Sequence, residues 1–282
     1  MPMNRLHFSK SSFRTVLAIL LSVAFCMAIC PLPTYGEAQP PPGSKAAKAA
    51  KERLDASLMN AAQTGDLGSV NKFLGKGADV NVRDPEGMTP LMYAAVNGNE
   101  PMVETLLQSG ADVNLIDGNG VTALMQASWA GHARVADMLI AGGANPNVRK
   151  SFELSRLQRR GMTALMAAAM NGNLDIARIL IRDGAKVNMQ DDEGETALSF
   201  ASRGGYVELV RLLLSKGAFI EVQDKFGRTP LSIATIYQHD PVVRTLLAAG
   251  ANPFSKDIHG TTPAKYAWAL GYRDIMSSVS KW

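Results

Sequence analysis

A motif of 16 residues returns along this chain at a nearly fixed interval. Its first clear copy is "DPEGMTPLMYAAVNGN", which begins at Asp84. Further copies start at Asp117, Gln158, Asp191, Asp224 and Asp257. The starts are 33 residues apart, except between Asp117 and Gln158, where the spacing is 41. A second motif, "GADVN" or a variant of it, closes each unit. A period in the range of about 20–50 residues predicts stacked structural repeats, each burying its apolar face against its neighbours.

Each unit predicts a helix, a turn and a second helix. Thr89 and Thr229 stand directly before a proline, as expected for an N-cap hydroxyl followed by a proline in the first helical turn. A glycine then ends the first helix in a tight turn, at Gly98, Gly131, Gly172, Gly205 and Gly271. Gln238 takes this place in the unit that begins at Asp224, and a less tight turn is expected there. Gly110 and its equivalents are expected to end the second helix in a left-handed conformation.

These elements resemble the ankyrin repeat, because "GxTPLxxAA", "G", "LL" and "GADxN" match its pattern in register across residues 84–282. The resemblance implies an all-α ankyrin-repeat solenoid of about seven stacked helix-turn-helix units with projecting β-turn or hairpin loops. The predicted organisation is a signal peptide at 1–36, a Pro/Ala/Lys-rich linker and helical lead-in at 37–50, an N-terminal capping repeat at 51–83, repeats at 84–116, 117–149, 158–190, 191–223 and 224–256, a loop insertion at 150–157 and a C-terminal capping repeat at 257–282.

The first 36 residues follow the layout of a secretory signal peptide, with three basic and no acidic residues around an apolar run from 16 to 30. That run is shorter than the roughly 20 residues that a membrane-spanning helix needs. Cleavage and a periplasmic or secreted protein are therefore expected, and the alternative is an inner-membrane anchor formed by residues 16–30. Cleavage would remove both cysteines, Cys26 and Cys30, and would lower the net charge from +4 to +1 by removing three basic residues. A mature chain of this charge is not expected to bind nucleic acid.

Reactive groups do not converge in the sequence. His132 and His239 occupy equivalent turn positions three repeats apart, too distant to share a metal or a proton. The stretch "DDEGE" from Asp191 to Glu195 lacks the spacing of a calcium loop and is expected to be a solvated loop tip. The chain is therefore predicted to be no enzyme, with no catalytic residue, cofactor or metal. The alternative is a secreted effector or enzyme whose chemistry is not visible in the sequence.

The resemblance implies a concave surface, formed by the projecting loops and the first helices, that binds another protein. Aromatic, Met and Arg side chains are enriched at such interfaces. The predicted partner-binding residues are Met88, Trp129, Phe152, Arg159, Arg160, Met162, Met170, Arg203, Phe226, Arg228, Ile236 and Tyr237. Trp129, Phe226 and Tyr237 are expected to be the anchors. For Met170 and Ile236 the alternative is packing against the next repeat. A monomer that meets no membrane after cleavage is expected.

Two further features have predicted roles. Equivalent leucines of the first helices are expected to stabilise the fold, at Leu91, Leu124, Leu165, Leu198 and Leu231. The insertion at 150–157 lengthens one loop in a basic region. Its charges either pair with the next tip, Asp191 to Glu195, or form a basic, partly apolar finger that touches an acidic partner.

Overall fold

The computed structural model describes residue 41 and residues 43–149 and 161–271. These ranges contain thirteen helices: α1 (Lys45–Thr64), α2 (Leu67–Gly75), α3 (Pro90–Val96), α4 (Glu100–Gln108), α5 (Ala123–Ala130), α6 (Ala133–Ala141), α7 (Ala164–Met170), α8 (Leu174–Arg182), α9 (Ala197–Gly204), α10 (Val207–Ser215), α11 (Pro230–Ile236), α12 (Asp240–Ala248) and α13 (Pro263–Ala269). The β-structure in these ranges is one antiparallel bridge between Ile116 and Thr122. The predicted all-α stack of helix pairs is confirmed.

The chain divides into a unit of residues 1–50 and a unit of residues 51–282. In the first unit, the Ala47 N–H donates to Ser44 Oγ at 3.1 Å where α1 begins. Within the described ranges, no helix is both long enough and apolar enough to cross a membrane. The predicted signal peptide, residues 1–36, lies outside these ranges. The repeats lie in the second unit.

The repeats of the second unit form two layers of helices. The first helices of successive repeats, α3, α5, α7, α9, α11 and α13, pack on one another. The second helices, from α2 to α12, form the other layer, and each first helix from α3 to α11 packs on the second helix of its own repeat. The first-helix leucines that were expected to stabilise the fold, Leu91, Leu124, Leu165, Leu198 and Leu231, are at most 1% exposed. Buried alanines such as Ala94 and Ala168 separate the helices in this layer, and their small side chains allow close approach.

Threonines begin the first helices. In each repeat from α3 onward, a threonine hydroxyl accepts the backbone N–H three residues later at 3.2–3.3 Å. The caps predicted at Thr89 and Thr229 are confirmed, each with proline at the next position. Such a bond satisfies one of the free N–H groups at a helix start and is worth about 1 kcal/mol.

The turn between the two helices of a repeat also contacts the next repeat. Gly98 has φ +66°, and a Cβ built there would lie 2.6 Å from the His132 ring. Gln238 has the same left-handed backbone, with φ 64°. Its N–H donates to Thr235 O at 3.1 Å, as Gly98 N–H donates to Ala95 O at 3.3 Å. The expectation of a less tight turn at Gln238 is therefore wrong, because the same backbone hydrogen bond closes both turns.

The loop formed by the "GADVN" motif or its variant, which we call the closing loop, bonds to the closing loop of the next repeat, in most repeats through an asparagine and in the last described pair through Glu221. Asn188 Oδ1 accepts the Phe219 N–H at 2.7 Å, and Asn188 Nδ2 donates to Gly217 O at 2.8 Å. At the N-terminal end, α1 supplies both bonds with different residues. Asp55 Oδ1 accepts the Asp79 N–H at 2.7 Å, and Lys51 Nζ donates to Gly77 O at 2.7 Å. Helix α1 thus takes the place of a preceding repeat.

Candidate functional site

Each repeat opens with a tight loop, which we call its tip; the described tips are residues 84–88, 117–121, 191–195, 224–228 and 257–261. The first residue of each is an aspartate whose Oδ1 accepts backbone N–H groups of the same tip. In the four tips from Asp117, Asp191, Asp224 and Asp257, these are the N–H groups two and four residues later, at 2.8–3.0 Å. The aspartate therefore shapes the tip from inside.

Backbone bonds join neighbouring tips. Gly118 N–H donates to Glu86 O at 2.8 Å, Lys225 N–H donates to Glu193 O at 2.8 Å, and Ile258 N–H donates to Phe226 O at 3.0 Å. Tips that are bonded in this way present their side chains at fixed spacing along one surface. We call the tips together with the carboxyl-terminal ends of the first helices the tip face.

The second oxygen of the tip aspartate differs between repeats. Asp84 Oδ2 accepts from the Tyr93 hydroxyl at 2.7 Å and Asp257 Oδ2 from the Tyr266 hydroxyl at 2.5 Å. Burial and the bond to Asp257 raise the pKa of Tyr266 to about 12. Asp224 Oδ2 accepts from Arg228 Nε at 2.7 Å.

Asp191 is the exception. None of the described residues donates to its buried Oδ2, because Glu195 stands where Arg228 stands in the next repeat and Phe200 stands where Tyr93 stands. Burial raises the pKa of Asp191 to about 6, and the charges of Glu195 and Glu193 add to the rise. Asp191 and Glu195 are only 4% and 6% exposed. The expectation of a solvated tip at Asp191 to Glu195 is therefore wrong for these two carboxylates, which lie beneath the tip.

Three predicted anchors are exposed on the tip face. Trp129, in the last turn of α5, is 47% exposed, Phe226 in a tip is 42% exposed, and Tyr237 at the end of α11 is 47% exposed. Ile236 is half-buried. Met88, Met162 and Met170 are also half-buried and pack against the core. The predicted Phe152, Arg159 and Arg160 lie outside the described residues, as does the insertion.

Four predicted residues meet at one place. Arg203, Phe226, Arg228 and Tyr237 line a cavity of about 270 Å³, together with Glu193, Glu195 and Asp224. The cavity, which we call the arginine cavity, lies between two adjacent repeats and is built from two tips and the ends of α9 and α11. Trp129 lies two repeats before Arg203 and three before Tyr237, and it does not line the cavity.

Both arginines of the cavity are paired internally. The Arg203 guanidinium makes a two-pronged ion pair with Glu195, and Arg228 pairs with Asp224. At the rim, Lys225 pairs with Glu193. The Arg203 guanidinium also lies between the rings of Phe200 and Tyr237, at 5.6 and 5.7 Å from their centroids.

Arg228 lies 4.7 Å from the Phe226 ring centroid. The prediction of Arg203 and Arg228 as partner contacts did not include these internal pairs. The only sign of these pairs in the sequence is an acidic residue four positions before Arg228 and eight positions before Arg203.

Other exposed apolar side chains were not among the predicted sites. Phe219 and Phe254 are 65% and 58% exposed in the closing loops, away from the tips. Trp268 is 73% exposed in α13, at the position where other repeats have a small buried residue such as Ala95 or Thr235. In the sequence, the presence of tryptophan at a position that is small in other repeats was the signal for the exposed Trp268.

The turn histidines bond to the preceding repeat. His132 Nε2 lies 3.0 Å from Val96 O, and His239 Nε2 lies 2.8 Å from Arg203 O. These bonds join the end of one first helix to the turn of the next repeat, so the rings have a packing role. Among the described residues, no group of three or more His, Cys, Asp or Glu side chains is arranged to hold a metal ion.

The family comparisons agree with this architecture. A model of three ankyrin repeats matches residues 58–150 and 151–224, and a model of a single ankyrin repeat matches residues 226–258. No curated protein sequence matches the chain significantly. Among solved structures, the crystal structure of the human ASB11 ankyrin repeat domain is similar in fold, with a TM-score of 0.69 and 23% identity over 79% of this chain and 96% of that chain. The chain belongs to the ankyrin repeat family.

Proposed function

We propose that this chain is an exported, non-catalytic protein that binds a partner protein through its tip face and so scaffolds or regulates it. Ankyrin repeats are typically modules of protein–protein interaction. The observation that carries the proposal is the exposure of Trp129, Phe226 and Tyr237, 47%, 42% and 47%, on the tip face, where Ile258 of the last described tip is exposed as well. Aromatic side chains of this kind commonly contribute about 2 kcal/mol or more each to a protein interface.

The triple variant Trp129→Ala, Phe226→Ala, Tyr237→Ala tests the proposal. Affinity capture with the unmodified chain as bait, from the exported fraction of its own cells, is expected to retain a partner that the variant retains poorly. The matched control is Phe219→Ala with Phe254→Ala, because these aromatics are exposed outside the tip face. That control is expected to capture the partner as the unmodified chain does. Thermal unfolding of all three chains checks that each remains folded.

Equal capture by the folded triple variant and the unmodified chain would refute the tip face as the binding surface. Loss of capture in the control alone would place the partner on the closing loops instead.

Export is a separate part of the proposal. It is supported by the basic start and the 15-residue apolar run from Val16 to Cys30. The intact mass of the exported protein is expected to lack the leader, with a cut after Gly36 or Ala38. A full-length mass in the membrane fraction would instead support an anchor formed by residues 16–30. The mature protein is proposed to be a monomer that carries no cofactor.

A further inference from the structure

The arginine cavity is polarised from bottom to mouth. The carboxylates of Glu195 and Asp224 lie at the bottom, with side chains 7% and 1% exposed. The guanidinium groups of Arg203 and Arg228 lie nearer the mouth, with side chains 20% and 23% exposed. A group that enters the cavity between the two tips therefore meets the guanidinium donors before it reaches Glu195 and Asp224, while the exposed carboxylate of Glu193 at the rim is paired with Lys225.

Both guanidinium groups keep donors in reserve. Arg203 bonds Glu195 through its two terminal nitrogens, each of which carries a second N–H, while its Nε is buried and has no acceptor among the described residues. Arg228 bonds Asp224 through Nε and one terminal nitrogen. Its other terminal nitrogen donates to none of the described residues. A guanidinium has five N–H donors in a fixed plane, and two carboxylate oxygens match a pair of them.

The aromatic rings hold these donors in place. Tyr237 lies over Arg203 at 5.7 Å and Phe226 over Arg228 at 4.7 Å. Because the arginines are already fixed by their ion pairs and rings, a ligand that binds them does not have to immobilise two long side chains. The three internal pairs, Glu195–Arg203, Asp224–Arg228 and Glu193–Lys225, also leave the site with no net charge.

We propose that the arginine cavity binds the side-chain carboxylate of an aspartate or glutamate of the partner protein, with an apolar neighbour of that residue against Phe226 and Tyr237. This rests on the proposed function and adds the chemistry of one partner residue to it. The carboxylate accepts from the outward N–H groups of Arg203 and Arg228, so that each arginine bridges an internal carboxylate and the incoming one.

Three pentapeptides of one backbone test the proposal on the full, unmodified chain. The first is acetylated, amidated Gly-Phe-Glu-Phe-Gly, the second has Gln for Glu, and the third has Gln and a free terminal carboxylate. Binding is followed by NMR through the side-chain Nε–H signals of the arginines. The Glu peptide is expected to shift the signals of Arg203 and Arg228 saturably at about 1 mM. The Gln peptide is expected to bind at least about tenfold more weakly, since a charged acceptor is replaced by a neutral one.

Equal binding of the Glu and Gln peptides, or no saturable shift at this concentration, would overturn the proposal. Tighter binding of the peptide with the free terminus would replace the side-chain carboxylate by a chain end, which also contradicts it.

The variant Arg228→Gln is expected to reduce binding of the Glu peptide about tenfold or more. Its matched control is Arg211→Gln, because Arg211 is 63% exposed on α10, away from the tip face. If Arg228→Gln does not fold, the comparison of peptides on the unmodified chain still decides. If partner capture needs Trp129, Phe226 and Tyr237 but the cavity shows no preference for the Glu peptide, only this proposal is refuted. If the cavity prefers the Glu peptide but partner capture does not depend on the three aromatics, only the proposed function is refuted.

Discussion

At the scale of single residues, tip aspartates at equivalent positions of different repeats have pKa values that are shifted in opposite directions. Asp257 is buried, which raises its pKa, but the Tyr266 hydroxyl and the backbone N–H groups of Thr261 and His259 lower it more. Asp191 has the same two backbone bonds, but no group in the described part of the chain donates to its second oxygen. Its pKa is raised instead, to about 6.

Asp191 should make the protein less stable as pH rises from about 4 to about 6. In the unfolded chain the carboxyl ionises near 3.8 and in the folded chain near 6, so between these values the folded state binds the extra proton. Replacing it by Asp191→Asn is expected to flatten this dependence. Relative to the unmodified chain, the variant should gain about 1–3 kcal/mol in free energy of unfolding as pH rises through this range. Urea unfolding at pH 4, 5, 6 and 7 measures the gain.

The control for this pair is Asp257→Asn. Because the pKa of Asp257 is lowered, its ionised form stabilises the fold above pH 4, and the stabilisation is lost only as pH falls further. This variant should show no gain between pH 4 and 6. A flat difference between Asp191→Asn and the unmodified chain over the same range would show that Asp191 ionises as freely in the fold as in the unfolded chain.

The sequence predicted these residues unevenly. The repeated "D" at each tip is visible, and the leucines at most 1% exposed follow from their spacing. Burial of Asp191 and Glu195 could not be predicted, because it depends on backbone N–H groups that turn inward and on an arginine eight residues later. The exposure of Trp129, Phe226 and Tyr237 agrees with their predicted place on the surface, whereas their binding role stays a prediction.

At the scale of secondary-structure elements, the turn between the paired helices also forms part of the contact between repeats. Gly98 adopts a left-handed backbone and lies against the ring of His132, which bonds Val96 O at 3.0 Å. Gly110 ends α4 with a similar φ of +84°, but a Cβ there would meet nothing within 4 Å. Comparison of substitutions at the two glycines therefore separates the cost of backbone strain from the cost of crowding against the next repeat.

Alanine at these two positions should have different costs. Gly110→Ala is expected to lose about 1–2 kcal/mol from the left-handed conformation alone. Gly98→Ala has the same strain, and its methyl group would lie 2.6 Å from the His132 ring, so the ring must shift and weaken its bond. An additional loss of about 1 kcal/mol is expected. Denaturant unfolding of both variants gives the comparison, and equal losses would show that the ring moves without cost.

The elements themselves were predictable because their signals are local. A threonine before a proline, an alanine-rich segment and a glycine specify a short helix without reference to the rest of the chain. The prediction failed at Gln238 because it considered only residue type. The backbone N–H groups of Gln238 and His239 donate to Thr235 O and Ala234 O, at 3.1 and 2.9 Å. Those bonds impose the left-handed conformation whichever residue is present.

At the scale of the repeat unit, stability comes from contacts between neighbouring repeats. Asn188 bonds across one such contact, and Asp55 of α1 does so at the N-terminal end. The repeat order was predictable because each unit carries the same motif. The arginine cavity was not, because it requires Arg203 of one repeat and Tyr237 of the next to meet, and the period specifies neither side chain. The proposed function at this scale rests on the tip face, which lies apart from the buried leucines that hold the repeats.

The most direct test of the tip face as the binding surface is amide hydrogen exchange with and without the captured partner. Exchange is expected to slow on binding in the tip and helix-end segments 118–131 and 225–239, which contain the three aromatics. The closing-loop segments 216–221 and 249–255, with Phe219 and Phe254, should exchange at unchanged rates. Protection confined to those closing loops, with none at the tips, would contradict the tip face as the binding surface.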